Sequence, residues 1–368
     1  MTLFLTLRVF SATGGIEKVC RIAGKAMYEL GLQFGGGVKV YSMHGHADSA
    51  IGNKYFPQFV FTGFNGNKVR CVLKSIKEGR RSRVVLLSHI NLLLPGFLIK
   101  FFSPKVKLVL LAHGIEVWKP LPKWKLFMLK KFDLILPVSH FTKERMKELY
   151  GLPEERFKVL NNCLDPFMEF PLQESKDEDL LDKYGLNIDH QVMLTVSRLS
   201  TTEQYKGYDK VLPALPSLTK MYPDLRYLVV GKYDVEEKIR LDRMVQDLGL
   251  EDIVIFTGFV PDEDLAAHFR LADLFVMPSE KEGFGIVFIE AMFYGIPVIA
   301  GNLDGSVDAL SNGRLGTLIN PEKKSELISA IRNMLDHPST HTPNRELLMR
   351  EFSYQTYKRG LGEVVGRA

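Results

Sequence analysis

Cysteine is scarce in this chain. Cys20, Cys71 and Cys163 stand far apart and are odd in number. They have neither the spacing of a metal site nor that of a disulfide framework, which points to a reducing compartment. A long apolar run is also missing. The longest, Val84 to Phe102, is interrupted by Ser88, His89, Asn91, Pro95 and Lys100, so it reads as strand, loop and helix rather than a membrane span. Met1 to Phe10 is apolar but has no basic start and no small-residue cleavage site, so no secretory signal is expected. The full G-x-G-x-x-G spacing is absent. Thr13-Gly14-Gly15-Ile16-Glu17 is only a glycine turn, which disfavours a dinucleotide-dependent dehydrogenase. In His44-x-His46-x-Asp48 the next place of a metallo-hydrolase motif is taken by Ser49. No other ligand cluster stands nearby, so no metal is expected and the loop is read as reaching towards an acceptor molecule.

Acid is thin in the first half. Residues 1–172 hold 26 Lys and Arg against 12 Asp and Glu, a net +14, while the remainder carries −9; the whole chain carries +5. A basic half implies an anionic partner. The clusters Arg80-Arg81-Ser82-Arg83, Lys100 to Lys105 and Lys119 to Phe132 interleave cations with Trp, Phe and Leu. That mixture suits an anionic membrane surface better than nucleic acid. The plainer reading is solvated charge around ordinary core residues.

What is present is a soluble-protein composition, 46% hydrophobic and 25% charged, over 368 residues. This length suggests two domains. Apolar β runs alternate with amphipathic helical runs throughout, the pattern of an α/β chain with parallel sheets covered by helices. In the first half the runs Leu3–Val9, Val38–Met43, Arg83–Leu87, Val106–Leu111 and Leu134–Val138 end in Gly14-Gly15, His44 and His46, His89, His113 and Ser139 respectively. Ligands of open α/β sheets bind beyond the carboxyl ends of strands, so these groups would share one crevice. Val159-Leu160 reads as a further strand running into turn residues, and 166–172 as the linker, followed by an acidic stretch from Glu174 to Asp182.

In the second half His190–Val196 leads to Ser197-Arg198, and Lys206-Gly207 opens a helix through Leu218. Two cations at a strand end and a helix start can face one anion. Ile253–Phe256 ends at Gly258-Phe259-Val260. Asp262-Glu263-Asp264, after Pro261, is read as a helix N-terminus rather than a D-x-D metal motif.

The stretch Pro278 to Met292 organises this half. It starts where the apolar strand Ala272–Met277 stops. Gly283 and Gly285 flank Phe284, and a helix from Ile286 to Tyr294 follows. That helix is apolar on every side, so it should be buried. Glu290 is its only charge. A buried carboxylate needs donors, and a vicinal diol supplies two. The helix start, with unpaired N–H groups, is an anion site, and Glu282 lies beside it. The alternative is a buried helix whose Glu pairs with a nearby Arg or Lys.

Glu282-Gly283-Phe284-Gly285-Ile286, three residues, then Glu290-Ala291-Met292 resembles the Glu-x7-Glu motif of the retaining family 4 glycosyltransferases, and Gly295-Ile296-Pro297-Val298-Ile299-Ala300 extends the likeness. The resemblance implies the GT-B fold: two Rossmann-like, doubly wound parallel-sheet domains facing a central cleft. Residues 1–168 would bind the acceptor and 169–352 the nucleotide-sugar donor, with a C-terminal helix in 353–368 packing back on the first domain. It implies catalytic roles for His113 and Glu282, and places Arg198, Lys206, Gly15, Phe284 and Gly285 on the donor diphosphate. Glu290, Phe259, Val260 and Ile286 would hold the nucleotide; Gly14, His44 and His46 would lie on the acceptor side. Ser139-x-Phe141-Thr142 also matches. The chain departs from the family at Ser197, at Asn162-Cys163, and at Val307 and Asp308.

The expected activity is therefore a retaining, metal-independent hexosyl transfer without a cofactor. A UDP- or GDP-sugar would donate to a glycan or lipid-linked acceptor in bacterial surface polysaccharide synthesis, in the cytoplasm at the inner membrane face, with no nucleic acid partner. The alternatives on the same fold are an epimerase, a phosphorylase or a silent nucleotide-sugar-binding protein.

Overall fold

The computed structural model describes residues 1–170 and 176–366. The expected acidic stretch begins at Glu174, outside the described residues, as do part of the linker and the last two residues of the expected tail. The chain divides into two compact units. The first is Met1–Phe167 together with Phe352–Ala368, and the second is Met168–Glu351, against the expected 1–168 and 169–352.

The first unit carries a sheet of β1 (Thr2–Thr6), β2 (Val38–Ser42), β3 (Phe61–Gly63), β4 (Val84–Leu87), β5 (Lys107–Ala112) and β6 (Leu134–Pro137). Its strands run parallel in the order β3-β2-β1-β4-β5-β6. The register sets Phe4 beside Val40 on one side and Leu86 on the other. These near-continuous runs of Leu and Val are what a sheet covered on both faces requires. The covering helices are α1 (Gly15–Gln33), α2 (Lys68–Gly79), α3 (Leu93–Phe102), α4 (Lys123–Leu129) and α5 (His140–Tyr150). One core lies under α1 and contains Phe4, Met27 and Val40. The other contains Leu3, Val85, Ile99, Leu110 and Phe132.

The second unit repeats the plan. Its strands are β7 (Gln191–Val196), β8 (Leu225–Val230), β9 (Val254–Gly258), β10 (Leu274–Met277), β11 (Val298–Gly301) and β12 (Thr317–Ile319), in the order β12-β11-β10-β7-β8-β9 and again all parallel. Its helices are α6 (Glu178–Lys183), α7 (Tyr208–Val211), α8 (Leu215–Leu218), α9 (Val235–Asp247), α10 (Leu265–Leu271), α11 (Ile286–Phe293), α12 (Ser306–Ala309), α13 (Lys324–Asp336) and α14 (Arg345–Phe352). Each sheet is a doubly wound Rossmann arrangement. The strand order reverses between β1 and β4 and between β7 and β10, and ligands bind outside such a switch point.

The last helix, α15 (Tyr354–Val365), returns to the first unit and lies along α1. Leu361 is fully buried there, and Lys358 pairs with Glu29 at 2.8 Å.

Two local expectations are corrected. The helix expected from Lys206 to Leu218 is broken into α7, a 3-10 turn over Leu212–Ala214, and α8. Pro213 and Pro216 lack the N–H that a continuous helix needs. Val159-Leu160 forms no strand; beyond the isolated bridge from Phe157 to Ile135, the backbone runs beside β6 through bonds from the N–H of Lys158 to the carbonyl of Ile135 at 3.0 Å and of Leu160 to that of Pro137 at 2.9 Å. The helix N-terminus expected at Asp262-Glu263-Asp264 is present: Asp264 occupies the cap position of α10, without a side-chain capping bond.

Candidate functional site

The second switch point carries the expected loop. Strand β10 ends at Met277, and residues 278–285 run over the sheet edge into α11. Gly285 opens that helix with φ +84, a left-handed conformation that glycine takes without strain. A Cβ there would press against the Phe288 ring. The loop is anchored by backbone bonds: the N–H of Glu280 donates to the carbonyl of Tyr205 at 2.9 Å, and that of Gly305 to the carbonyl of Glu282 at 2.8 Å.

Lys206 and Glu282 meet as an ion pair within this loop, and both are largely buried. Burial alone would push the Lys206 ammonium down, but Glu282 and its hydrogen bond hold it above the ordinary lysine range. Arg198 follows β7, is exposed, and pairs with Glu203 at 2.6 Å. The hydroxyl of Tyr205 is raised, first by burial, and feels Lys206, Glu203, Glu282 and Arg198. The two expected cations and Glu282 therefore share one neighbourhood. Glu290 is buried on α11, only 4% exposed. Phe284, Ile286 and Val260 are buried; Phe259 presents its ring to solvent after β9. Two cations and a helix start at a switch point can bind a diphosphate, and an exposed ring can stack on a base.

Two carboxylates that the sequence reading left out hold this site. The first is Asp304, fully buried just beyond β11. Its Oδ2 accepts from the N–H of Glu282 at 2.6 Å and from Ser279 Oγ at 2.8 Å, while Oδ1 accepts from the N–H of Ser306 at 2.9 Å. Burial pushes its pKa up to about 6, against these hydrogen bonds. Next to it, a Cβ on Gly305 would lie 2.1 Å from the carbonyl oxygen of Gly283, so the two loops touch only because residue 305 has no side chain.

The second is Glu237, 0% exposed on α9. It accepts from Gln204 Nε2 at 2.8 Å, from the Tyr208 hydroxyl at 2.7 Å and from Arg240 Nε at 3.0 Å. Arg240 and the two other donors outweigh burial and keep its carboxyl below the usual range. Gln204 and Tyr208 bracket Lys206, so this network sets where the lysine stands. Asp234, which caps α9, also accepts from the N–H of Thr201 at 3.1 Å and ties down the Arg198 segment.

The first unit gathers a different set beyond β4 and β5. His113 Nε2 bonds the carbonyl of Ser88 at 2.8 Å, and its backbone N–H donates to Glu116 at 2.5 Å. Desolvation lowers the His113 imidazole to about 4, so it is neutral near pH 7. His89 is lowered by burial as well, with Glu116 opposing and His113 adding to the shift; the Glu116 carboxyl is raised by burial. His89, His113 and Glu116 thus form one cluster, of which the strand-end rule pointed to the two histidines.

Gly14 caps α1, and Gly14-Gly15 leave the start of that 19-residue helix exposed. His44 is half-buried after β2. His46 is exposed on the next turn, where its N–H donates to Ser49 Oγ at 3.1 Å. Ser139 caps α5 by accepting from the N–H of Thr142 at 3.1 Å, a structural duty. Among the described residues no three His, Cys, Asp or Glu side chains converge as metal ligands, and no helix is long and apolar enough to cross a membrane.

Two family models cover most of the chain: "Glycosyl transferases group 1" over residues 176–358 and "Glycosyltransferase Family 4" over residues 13–166. Among curated proteins, a GDP-mannose-dependent alpha-(1-6)-phosphatidylinositol monomannoside mannosyltransferase of Mycolicibacterium smegmatis is 31% identical, the match covering 63% of this chain and 62% of the relative. Mannosylfructose-phosphate synthase of Agrobacterium fabrum is 31% identical over 55% of this chain and 45% of its own length. The chain thus spans about half to three-fifths of these relatives. The Anabaena HepE crystal structure in complex with UDP superposes with TM-score 0.81 over 100% of both chains at 20% identity. A sucrose-phosphate synthase from Thermosynechococcus elongatus gives 0.73 at 18% identity, covering 100% of this chain and 98% of that one. These likenesses place the fold in the GT-B class.

Proposed function

Because this chain belongs to the family 4 glycosyltransferases, we propose that it transfers a sugar from a nucleotide-diphosphate sugar to an acceptor hydroxyl, with retention at the anomeric carbon and without a metal. The observation that carries this reading is the Lys206–Glu282 pair, set beside Arg198 at the β7/β10 switch point and at the start of α11. A lysine ammonium has three N–H donors, so Lys206 can hold Glu282 and a phosphate oxygen together. Arg198, at the rim, adds the second positive charge that a departing diphosphate needs. The α11 start and the Phe284-Gly285 amides face the same anion. Glu290 takes the ribose diol, and Phe259, Val260 and Ile286 border the base. Glu282 binds sugar hydroxyls.

In the proposed step the bond from the anomeric carbon to the diphosphate oxygen breaks. The acceptor oxygen bonds to the same face of that carbon, and its proton passes to the departing phosphate. His113, neutral near pH 7, and the Gly14-Gly15 turn serve the transferred sugar and the acceptor, with His44 and His46 on the acceptor side. The donor is a UDP- or GDP-sugar. The GDP-mannose-dependent relative and the structural neighbour in complex with UDP support that pair. The acceptor is a glycan or lipid-linked intermediate of bacterial surface polysaccharide synthesis, met in the cytoplasm at an anionic membrane. The +14 charge of residues 1–172 supports this.

A thermal-shift screen of UDP-, GDP-, ADP- and CMP-sugars tests the donor site, since only a binder of the folded state raises Tm. Lys206→Ala and Glu290→Ala should each lower turnover by at least about a hundredfold. Near-wild-type turnover in both, or epimerisation of the donor without acceptor, overturns the reading; activity abolished by a chelator removes the metal-independent part.

A further inference from the structure

We infer that the outer faces of α2, α3 and α4 form one bilayer-docking surface that takes anionic lipid headgroups around inserted aromatic side chains. This names the surface behind the membrane partner proposed above, and it rests on the first unit alone.

The three helices are neighbours: α3 packs against α2 on one side and α4 on the other, and the Phe97 and Phe127 rings meet at 5.8 Å. Their inner faces fill the core with Cys71, Ile99 and Leu129. Their outer faces should be polar, yet each exposes large apolar groups. Val69 and Leu73 lie one turn apart on α2. Leu94 and Phe101 lie two turns apart on α3, with Phe102 beside them. Trp124 and Phe127 lie three residues apart on α4. Phe101 is 68% exposed, and Trp124 and Phe127 are each 55% exposed. A soluble protein rarely leaves so many large apolar side chains on adjoining helices without a partner.

The charges around them carry one sign. Lys105, Lys123, Lys130 and Lys131 are exposed. Lys125 lies over the Trp124 ring at 5.5 Å and Lys131 over the Phe127 ring at 5.2 Å. Between residues 91 and 131 the sole acid is Glu116, which accepts from the His113 backbone. Glu78 on α2 accepts from Tyr41, and Asp133 pairs with Lys100 at 2.8 Å. Rings that enter the headgroup layer with lysines reaching lipid phosphates are how an interfacial helix binds. A second copy of this face would bring like charges together, and seven apolar side chains spread over three helices exceed what phosphate contacts of nucleic acid use.

The test is sedimentation of the full chain with phosphatidylcholine vesicles, with and without about 30% phosphatidylglycerol, at low salt and at roughly 0.5 M salt. Binding should need the anionic lipid and weaken with salt. Trp124→Ser with Phe127→Ser should reduce partitioning at least about tenfold, and Lys130→Gln or Lys131→Gln about fivefold each, the equivalent of about 1 kcal/mol per lysine near the surface. Each variant is also assayed for Tm, and for nucleotide-sugar thermal shift where the wild type shows one. Unchanged values show that it is folded, and vesicle binding without any nucleotide-sugar shift would sink the donor site while leaving this surface standing. The proposal is overturned if the wild type ignores vesicles or binds neutral ones equally. It is likewise overturned if Trp124→Ser/Phe127→Ser binds like the wild type, if that variant instead dissolves a dimer in light scattering, or if RNA displaces vesicles completely.

Discussion

The backbone N–H of Glu282 donates to Oδ2 of the buried Asp304 at 2.6 Å, across 22 positions of chain. The loop that presents Glu282 to Lys206 is therefore shaped by a carboxylate beyond the next strand. The same oxygen holds Ser279, so one side chain fixes the start and the middle of the loop.

Asp304→Asn replaces one acceptor oxygen by an amide that cannot accept. Either Glu282 or Ser306 then loses its bond. The expected cost is about 1–3 kcal/mol, read as a lower Tm and a raised nucleotide-sugar KM with a smaller change in kcat.

Asp304 should also give the proposed donor binding a pH dependence. Its pKa is raised to about 6 from an ordinary 3.8, first by burial. Protonation below about pH 6 removes an acceptor from the loop, so donor KM should rise as pH falls through 6, and this inflection should vanish in Asp304→Asn. Folding stability runs the other way. A raised carboxyl favours the folded state fully below 3.8, and that contribution is lost as pH rises through about 6. Titrating KM and Tm separately should show opposite trends for this one group.

Gln204→Ala tests whether Glu237 positions Lys206. It removes the 2.8 Å bond from Gln204 to Glu237 but leaves the pair with Arg240 intact. Donor KM should rise about threefold to tenfold with Tm nearly unchanged, since one partly exposed hydrogen bond is worth about 0.5–1.5 kcal/mol. Glu237→Ala leaves Arg240 paired with Asp209 but removes the acceptor that Gln204, Tyr208 and Arg240 share, and should lose about 1–3 kcal/mol of stability by urea unfolding. Equal KM in Gln204→Ala and the wild type would confine Glu237 to a structural role.

Gly305→Ala places a Cβ 2.1 Å from the Gly283 carbonyl oxygen. The loops must separate, at about 1–3 kcal/mol, and donor affinity should fall with Tm. A silent Gly305→Ala would mean the two loops are not held against each other.

His113 sets an acid limit on the first unit. Its pKa is lowered to about 4 by desolvation from an ordinary 6.5. A lowered histidine contributes stability that is complete above 6.5 and lost as pH falls through about 4. His113→Gln should flatten the decline of Tm between pH 6.5 and 4, followed by circular dichroism.

Much of this was legible in the residues. Runs such as Val84–Leu87 and Leu274–Met277 read as covered parallel strands, and the chain alone set Arg198 and His113 just beyond strand ends, Lys206 at a helix start and Glu282 in a loop before a helix, while their roles came from the family resemblance. Local chemistry was enough there, because a strand end in an α/β chain is where ligands bind. Asp304 was illegible for the opposite reason. Its segment matches no expected motif, and its value lies in bonds to residues 22 and 25 positions away. Glu237 stands beside Glu236 on one amphipathic helix, and nothing along the chain says which of the two is buried.

The sequence by itself determined the alternation of elements, the strand-end placement of the charged and histidine groups, and the +14 bias of residues 1–172, since these follow from periodicity and composition. Only the tertiary structure decided which acids brace the loops and that His46 stays on an outer turn. It alone decided that apolar residues of three adjoining helices, α2, α3 and α4, stay exposed. Burial and long-range hydrogen bonds are properties of packing, and identical residue types acquire different duties only once the chain has closed around them.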